Sequence, residues 1–385
     1  MDNTWWVGEE QMDPQQKRVV LLPRDGKHFV TGPPGSGKTN LLLLRANFLY
    51  TDKLYEIAVI VFTKSLRQFL AAGSAHYNFP ATKIQTHRAW QNDLLRQFGE
   101  SPVIKGTFKQ QREEAHGKLK ALVESGKIPK TFDCILVDES QDYLPEELEL
   151  FDALSNRLFF VADGRQRIYE GSDPIESIRK IAGEPIELKH HYRNGLAICK
   201  VADRIMKQEG PDCMEATSNY DEVANPSRVE YFRCKNFDGE IDLMLTKIDA
   251  QLKAYPNEVI GLACPKVDQV EHLWTRLMDT KFASQASLHR GSEQDEFDDN
   301  TPICVCTIHA IKGLEVRALH LLGCEALKKF GNNRNLSFTA ATRPRTFLSA
   351  YFSADIHSYL EAALNCNSPK PEKPPKLADA FGRRK

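Results

Sequence analysis

A glycine-rich segment between a predicted strand and a predicted helix constrains the fold of this 385-residue chain more strongly than any other feature. Residues 32–39 read Gly-Pro-Pro-Gly-Ser-Gly-Lys-Thr, which fits the pattern G-x-x-x-x-G-K-[ST]. Glycines in such a loop let main-chain N–H groups and the start of the next helix face phosphate oxygens. The pattern predicts that Lys38 reaches the β and γ phosphates of ATP and that the Thr39 hydroxyl binds Mg²⁺. The residues predicted to hold the nucleotide here are Gly32, Gly35, Ser36, Gly37, Lys38 and Thr39.

A second candidate feature is an apolar strand that ends in carboxylates. Residues 134–137 read Cys-Ile-Leu-Val, and Asp138 and Glu139 follow directly. Taken alone, such acids are solvated side chains after a buried strand. Beside a phosphate loop the two acids are expected to have separate roles, because the carboxyl ends of parallel strands meet at the edge of the sheet where ligands bind. We expect Asp138 to bind Mg²⁺ together with Thr39, and Glu139 to orient and deprotonate the attacking water.

Short apolar runs alternate with helical patterns along the chain, which predicts an α/β fold with mostly parallel sheets. A boundary between two such series is expected near Ile181–Pro185. The clearest helix patterns cover Thr39–Tyr50, Gln110–Val123, Gly239–Leu252 and Val267–Met278. The strand candidates are Lys27–Thr31, Ile57–Phe62, Phe132–Val137, Leu158–Ala162, Glu258–Cys264, Ile303–Thr307 and Leu319–Leu322.

Composition narrows the class of protein. Hydrophobic residues make up 41% and charged residues 27%, as in ordinary globular proteins. No apolar run approaches the roughly 20 residues of a membrane-spanning helix, and the first residues lack the pattern of a secretory signal, so we expect a cytoplasmic protein without membrane insertion. The nine cysteines include no C-x-x-C pair, which favours reduced thiols. With 51 basic and 52 acidic residues the net charge is −1, so any nucleic-acid groove must be local or completed by another subunit.

Eight segments in order carry a family resemblance. The acidic strand end continues as Asp-Glu-Ser-Gln-Asp over residues 138–142. The others read Met-Asp-Pro-Gln-Gln (12–16), Val-Phe-Thr-Lys (61–64), Gln-Thr-His-Arg (85–88), Val-Ala-Asp-Gly-Arg-Gln-Arg-Ile-Tyr (161–169), His-Tyr-Arg-Asn (191–194), Thr-Ile-His-Ala-Ile-Lys-Gly-Leu-Glu (307–315) and Ala-Ala-Thr-Arg-Pro (340–344). Together they resemble the motifs of UvrD/Rep-type superfamily 1 helicases over about residues 12–352.

The resemblance implies roles around the nucleotide. It places Gln16 on the adenine, and Tyr192 against the same base, although Tyr192 also fits an ordinary interface aromatic. It gives Gln166 the sensing of the γ-phosphate and brings two arginines, Arg193 and Arg343, to that phosphate. Gly313 and Glu315 belong to the implied nucleotide site as well. The implied catalytic set is thus Lys38, Glu139, Gln166, Arg193 and Arg343.

The resemblance also implies contacts with single-stranded DNA, with RNA left open. Phe62 fits core packing as well as base stacking. His87 and His309 have a plain reading as structural histidines at strand ends. The residues implied to contact nucleic acid are Phe62, Thr63, Thr86, His87, Thr307 and His309.

The implied architecture is two RecA-like domains, residues 1–180 and 181–366, with the nucleotide in the cleft between them and a disordered Pro/Lys-rich tail at 367–385. The chain departs from larger relatives in its short insertions. The interval Trp90–Thr131 leaves room only for a vestigial one, and Gly291–Asn300 is an acidic loop. The motif after Tyr169 lacks the tryptophan on which relatives stack a base, while Ala162 and Pro344 replace the usual glycine and alanine.

Two functions follow as hypotheses. The first is an ATP-dependent single-stranded-DNA translocase or helicase, the motor subunit of a larger repair or anti-phage complex with a nuclease or scaffold partner. The alternative is a nucleotide-gated regulatory ATPase that controls a partner protein and does not unwind duplex. The net charge and the missing tryptophan favour the alternative, whereas the ordered motifs favour the first.

Overall fold

The computed structural model describes residues 9–168, 173–290 and 301–367. The acidic loop at 291–300 and residues 368–385 of the tail that is predicted to be disordered lie outside the described residues. None of the helices in the described ranges has both the length and the apolar composition of a membrane-spanning segment.

The first domain is a parallel six-stranded sheet with helices on both faces. The strands lie side by side in the order β3-β2-β4-β5-β1-β6, and every pairing is parallel. Its strands are β1 (Lys27–Thr31), β2 (Ile57–Val61), β3 (Ile84–Thr86), β4 (Cys134–Val137), β5 (Leu158–Ala162) and β6 (Ile186–Glu187). Its helices are α1 (Pro14–Val20), α2 (Lys38–Thr51), α3 (Lys64–Ala72), α4 (His87–Gln97), α5 (Phe108–Glu124), α6 (Pro145–Leu154) and α7 (Pro174–Ala182).

The second domain repeats this plan. Its sheet has the order β7-β12-β11-β8-β10-β9, again with parallel pairing throughout. Its strands are β7 (Arg228–Arg233), β8 (Ile260–Cys264), β9 (Ala286–His289), β10 (Ile303–Thr307), β11 (Val316–Leu321) and β12 (Pro344–Phe352). Its helices are α8 (Leu196–Met206), α9 (Phe237–Ala254), α10 (Val267–Met278), α11 (Asn333–Ala341) and α12 (Ser358–Leu364).

Side chains along the central strands point alternately to the two faces of the sheet, so each domain has two apolar layers. In β2, Ile60 faces the layer that holds Trp90 and Phe151, whereas Val59 faces the layer that holds Leu42. Both sheets are therefore covered on both faces, which is why their central strands read as continuous apolar runs. The predicted α/β fold with two parallel-sheet domains is confirmed.

Most predicted elements lie where the patterns placed them. Of the seven predicted strands, three have the observed bounds, namely β1, β5 and β10. The four other predicted strands differ from the observed ones at their ends by one to three residues. The prediction missed β3, β6, β7, β9 and β12. Strand β6 pairs with β1 through Val30–Ile186 and Thr31–Glu187. The first sheet therefore includes a strand that follows the predicted boundary at residue 180.

Candidate nucleotide site between the two domains

A cleft of about 650 Å³ lies between the two domains. The first domain lines it with its phosphate loop, the acidic end of β4 and Gln166. The second domain lines it with the segment after β6, the segment before β11 and the start of β12. The predicted residues among its lining are Gln16, Gly35, Gly37, Lys38, Thr39, Asp138, Glu139, Gln166, Tyr192, Arg193, Gly313, Glu315 and Arg343.

The phosphate loop has the geometry that its sequence predicts. Gly35 and Gly37 adopt φ of +75° and +84°, in the left-handed region that glycine enters without steric cost. Lys38 Nζ donates to the carbonyl oxygens of Gly32 and Pro33, at 2.8 and 2.9 Å. Burial lowers the pKa of Lys38 to about 8. Ser36 Oγ is buried without a hydrogen-bond partner among the described residues, so the loop offers a polar atom to an incoming phosphate.

The carboxylates lie directly after β4. Thr39 Oγ1 donates to Asp138 Oδ2 at 2.9 Å, which places two hard oxygen donors side by side. These are ligands of the kind that Mg²⁺ takes, so the residues fit the ion. Glu139 adopts φ of +48°, a costly conformation for a side-chain-bearing residue and one that recurs at functional sites.

The surroundings shift the pKa values of Asp138 and Glu139 in opposite directions. Burial raises the pKa of Asp138, and the charge of Glu139 raises it further. Burial alone would also raise the pKa of Glu139, but Lys312, followed by Arg343 and Lys38, outweighs burial and holds that pKa below its usual value. Glu139 is therefore the acid of the pair that ionises more readily.

Both predicted arginines reach the cleft from the second domain. Arg343 follows α11 and is buried. Its Nη2 donates to Gln166 Oε1 of the first domain, and its Nε donates to the Thr339 carbonyl at 3.0 Å. Arg193 pairs with Glu315. The backbone N–H of Tyr192 donates to the Gly35 carbonyl at 3.0 Å, which ties the arginine segment to the phosphate loop.

Gln16 and Tyr192 meet at one end of the cleft. Gln16 closes a capping box with Asp13 at the start of α1, and its Nε2 donates to the Ser36 carbonyl at 3.1 Å. The half-buried Tyr192 donates its hydroxyl to Asp13 Oδ2 at 2.6 Å. A polar amide and an aromatic ring thus lie together beside the phosphate loop, which is the pair that the resemblance assigns to the adenine.

Residues 15–172 match the family model AAA_19, described as an AAA domain. This match covers the first domain, and it supports the resemblance to UvrD/Rep-type superfamily 1 helicases. A solved structure that it resembles is the C-terminal domain of a possible DNA helicase from Lactobacillus plantarum WCFS1, at 17% identity, covering 46% of this chain and 94% of that chain with a TM-score of 0.33. The comparison with curated proteins finds no match.

Sequence reasoning missed a buried residue pair that joins the two domains, Lys312 and Asp142. Lys312 comes from the second domain and is 1% exposed. Its Nζ donates to Asp142 Oδ2 at 2.5 Å and to the Gln166 carbonyl at 2.6 Å, and lies 3.7 Å from Glu139 Oε2. Both partners stand inside quoted motifs, Lys312 in Lys-Gly-Leu-Glu and Asp142 at the end of Asp-Glu-Ser-Gln-Asp. That signal was available in the motifs, although no role was assigned to either residue.

The side chains that the family resemblance assigns to nucleic acid lie outside the nucleotide cleft, at the carboxyl ends of β2, β3 and β10. Three threonines have hydroxyls that accept from backbone N–H groups. Thr63 accepts from Leu66 at 3.3 Å. The corresponding distances are 3.2 Å for Thr86 and 3.1 Å for Thr307. Each hydroxyl therefore stabilises a helix start or a turn.

Of the three ring side chains in that set, His87 is buried, whereas Phe62 and His309 are half-buried. The Phe62 ring packs edge-on against Tyr143 and Phe108, with centroids 5.5 and 6.3 Å apart. His87 is 6% exposed, and burial lowers its pKa to about 4. His309 is half-buried beside Phe330. The structure thus places His87 beneath α5 and not on an open face.

Proposed function

We propose that this chain is an ATP-driven translocase or helicase that moves on single-stranded DNA, acting with a protein partner such as a nuclease or scaffold subunit. One observation carries the proposal. Lys38 and Glu139 of one domain and Arg193 and Arg343 of the other line a single cleft. A site divided in this way is complete only when the domains are together, which is what a hydrolysis-driven hinge cycle requires.

The residues divide the chemistry of hydrolysis among them. Lys38 and the loop N–H groups hold the phosphates. Glu139, whose pKa is held below its usual value, accepts a proton from the attacking water. Arg193 and Arg343 stabilise the negative charge that develops on the γ-phosphate. Thr39 and Asp138 would hold Mg²⁺, which would supply positive charge against the phosphates.

Gln166 is the residue through which we expect the state of the nucleotide to affect the contact between the domains. Its Oε1 accepts from Arg343, and its carbonyl oxygen accepts from Lys312, so a first-domain residue touches two cations of the second domain. A γ-phosphate beside Gln166 competes for Arg343, and loss of that phosphate changes the partners of this arginine. We infer that this exchange links hydrolysis to domain opening.

The decisive experiment measures ATP hydrolysis with and without single-stranded DNA, on the wild type and on two variants. We expect DNA to stimulate the wild type. Lys38→Ala should lose nucleotide binding, whereas Glu139→Gln should keep ATP bound and lose hydrolysis. Absence of any stimulation by DNA, with the chain alone and with its co-purified partner, would remove the motor proposal. Equal loss of nucleotide affinity in both variants would contradict the role of Glu139.

A second candidate is a nucleotide-gated regulatory ATPase that holds and releases a protein partner. The observation in its favour is that Thr63, Thr86 and Thr307 use their hydroxyls as caps and that His87 is buried. Domain closure around ATP would then expose or hide a protein-binding face. Unwinding of a tailed duplex by the isolated chain would exclude this candidate.

A further inference from the structure

The nucleotide cleft has a third set of lining residues, beside the sets expected to hold the phosphates and the base. This set belongs to the second domain and lies mostly around the starts of β8, β11 and β12. A nucleotide with its phosphates at Lys38 and its base beside Gln16 and Tyr192 has its ribose between these two ends. The 2′ and 3′ hydroxyls of that ribose are then left to face another wall. The residues of this third set are Asn225, Asn257, Glu258, Val259, Leu314, Val316, Arg317 and Arg345.

Two neighbouring strands place two arginines in this wall. Strands β11 and β12 are parallel and pair at their first residues, Val316 and Pro344. Arg317 and Arg345 follow directly and both line the cleft. Arg345 comes two residues after Arg343, which is roughly 7 Å along a strand. The two arginines thus belong to the cleft but lie beyond the residue assigned to the γ-phosphate.

The guanidinium group of Arg317 is only partly satisfied by the protein. Its side chain is 11% exposed, and its Nε has no hydrogen-bond partner within the described ranges. Its Nη2 donates to Asn225 Oδ1, a neutral acceptor, at 3.0 Å. The guanidinium also lies 4.5 Å from the centroid of the Tyr255 ring, which fixes its position. Arg317 is therefore a positioned cation with hydrogen-bonding capacity that no described residue uses.

Glu258 lies between the two arginines without holding either of them closely. Its Oε1 is 3.4 Å from Arg317 Nη1, and its Oε2 is 3.7 Å from Arg345 Nη1. A strong hydrogen bond between such charged groups is about 2.7–2.9 Å long. The Glu258 and Arg345 side chains are 27% and 30% exposed, so a ligand in the cleft is able to reach them. A phosphate suits this position, because the planar fork of an arginine matches its oxygens.

We propose that this wall is a subsite for a phosphate group carried on the 3′ or 2′ oxygen of a bound nucleotide, and that Arg317 and Arg345 hold it. The inference rests on the proposed function in requiring a nucleotide in the cleft. A nucleotide of this class with a 5′-diphosphate would fill the cleft without offering a γ-phosphate to Arg343. It would therefore compete with ATP and inhibit hydrolysis, which gives the subsite a regulatory role.

The experiment compares the affinity of the full chain for ADP with its affinity for ADP that carries an additional phosphate at the 3′ or the 2′ oxygen. Isothermal titration calorimetry gives the dissociation constants, whose ratio measures the preference for the additional phosphate. The variants are Arg317→Met, Arg345→Met and Glu258→Gln. The matched control is Arg233→Met, because Arg233 is 64% exposed and pairs with Asp355 outside the cleft.

For the wild type we expect one of the phosphorylated forms to bind roughly 10-fold to 100-fold more tightly than ADP, as for a hydrogen bond to a charged group. Arg317→Met and Arg345→Met should each reduce this preference by at least about 5-fold, and Arg233→Met should leave it unchanged. Glu258→Gln should increase the preference, because it removes a negative charge beside the phosphate. Arginines with a structural role alone would instead weaken ADP and its phosphorylated forms equally.

Thermal melts identify a variant that fails to fold, and Arg345→Met carries the test should Arg317→Met lose its packing on Tyr255. Equal binding of ADP and both phosphorylated forms by the wild type overturns the subsite while the proposed function stands. So does a preference that Arg345→Met and Arg233→Met change alike. Inorganic phosphate added with ADP tests a free anion, and its removal of the preference would support the same subsite for either source. Failure of the wild type to bind ADP and ATP overturns both the subsite and the proposed function.

Discussion

The two cleft arginines differ in the side chains that hold them. Arg343 donates to the neutral Gln166, whereas Arg193 pairs with the carboxylate of Glu315. Burial lowers the pKa of Arg343 to about 10, followed by the charge of Arg193 nearby. Because a neutral amide holds a cation less strongly than a carboxylate does, we expect Arg343 to exchange its partner for phosphate more readily than Arg193 does.

Arg343→Ala should therefore act mainly on the transition state. We expect the rate of ATP hydrolysis to fall by about 10³-fold, as for other arginines that stabilise phosphoryl transfer, with less than about 3-fold change in ADP affinity. Arg228→Ala, on the exposed edge strand of the same domain, serves as the control and should change neither. Single-turnover kinetics and ADP titration measure the two effects. A loss of ADP affinity as large as the loss of rate would contradict a γ-phosphate role.

Gly35 tests whether close approach of the domains matters for hydrolysis. A Cβ placed on Gly35 would lie 2.4 Å from the Arg193 Cβ. Gly126 has a similar φ, +73° against +75°, but open space around its Cβ. Both Gly→Ala variants should lose about 1–2 kcal/mol of folding free energy from the left-handed backbone, and only Gly35→Ala should slow hydrolysis, by at least about 10-fold. Thermal melts and ATPase rates check this, and equal rates in the two variants would refute it.

At the scale of elements, the sequence predicted strands well in the middle of each sheet and poorly at the edges. Strands β5 and β10 are buried apolar runs, so their patterns are unambiguous. Strand β7 reads Arg-Val-Glu-Tyr-Phe-Arg at a sheet edge, and β6 has only two residues, so neither produces an apolar run. Strand β12 begins at Pro344, at the end of a motif, where a missing N–H is tolerated at the first residue of a strand.

His320 in β11 gives the second sheet a pH-dependent stability. Its ring is buried and lies 2.8 Å from the Tyr351 hydroxyl and 2.7 Å from Gln251 Oε1. Burial, aided by Lys247, lowers the pKa of His320 to about 3, from 6.5 in the unfolded chain. As the pH falls below 6.5 the unfolded chain takes up a proton that the folded chain does not, so stability is lost between pH 6.5 and 3.

Comparison with His320→Gln isolates this contribution from that of the buried acids. The difference in unfolding free energy between wild type and variant should shrink by about 2 kcal/mol from pH 7 to pH 5, because the wild type alone carries this histidine. Urea titrations at the two pH values measure the difference. A difference that stays constant, or grows, would show that the folded histidine accepts its proton near the ordinary pKa.

At the scale of the whole molecule, the motifs predicted which residues line the cleft but not which residues form the contacts between the two domains. The phosphate-loop pattern predicted the place of Lys38, the acidic strand end that of Glu139, and the family resemblance that of Arg343. The contact between Lys312 and Asp142 depends on the docking of one domain against the other, and no local pattern encodes that distance. The position of α5 over His87 depends on packing within the first domain, which no local pattern encodes either.

Lys312 and Asp142 are expected to control that docking through the cost of burying charge. Lys312→Met leaves the Asp142 carboxylate buried without its cation, which costs about 3–5 kcal/mol in comparable pairs. Separation of the domains returns the carboxylate to water, so the variant should open. Small-angle scattering should show a larger radius of gyration than for the wild type or for Lys281→Met, a control on an exposed ion pair.

The double variant Lys312→Met/Asp142→Leu removes both charges, and apolar side chains of similar size replace buried ion pairs with little loss of stability. It should therefore recover the compact wild-type radius of gyration. Recovery of closure without recovery of ATP hydrolysis would separate the mechanical role of the pair from the chemistry beside it, since Lys312 also lies 3.7 Å from Glu139. A double variant as open as Lys312→Met would show that the lysine contributes more than neutralisation of Asp142, and a compact single variant would show that other contacts suffice to hold the domains together.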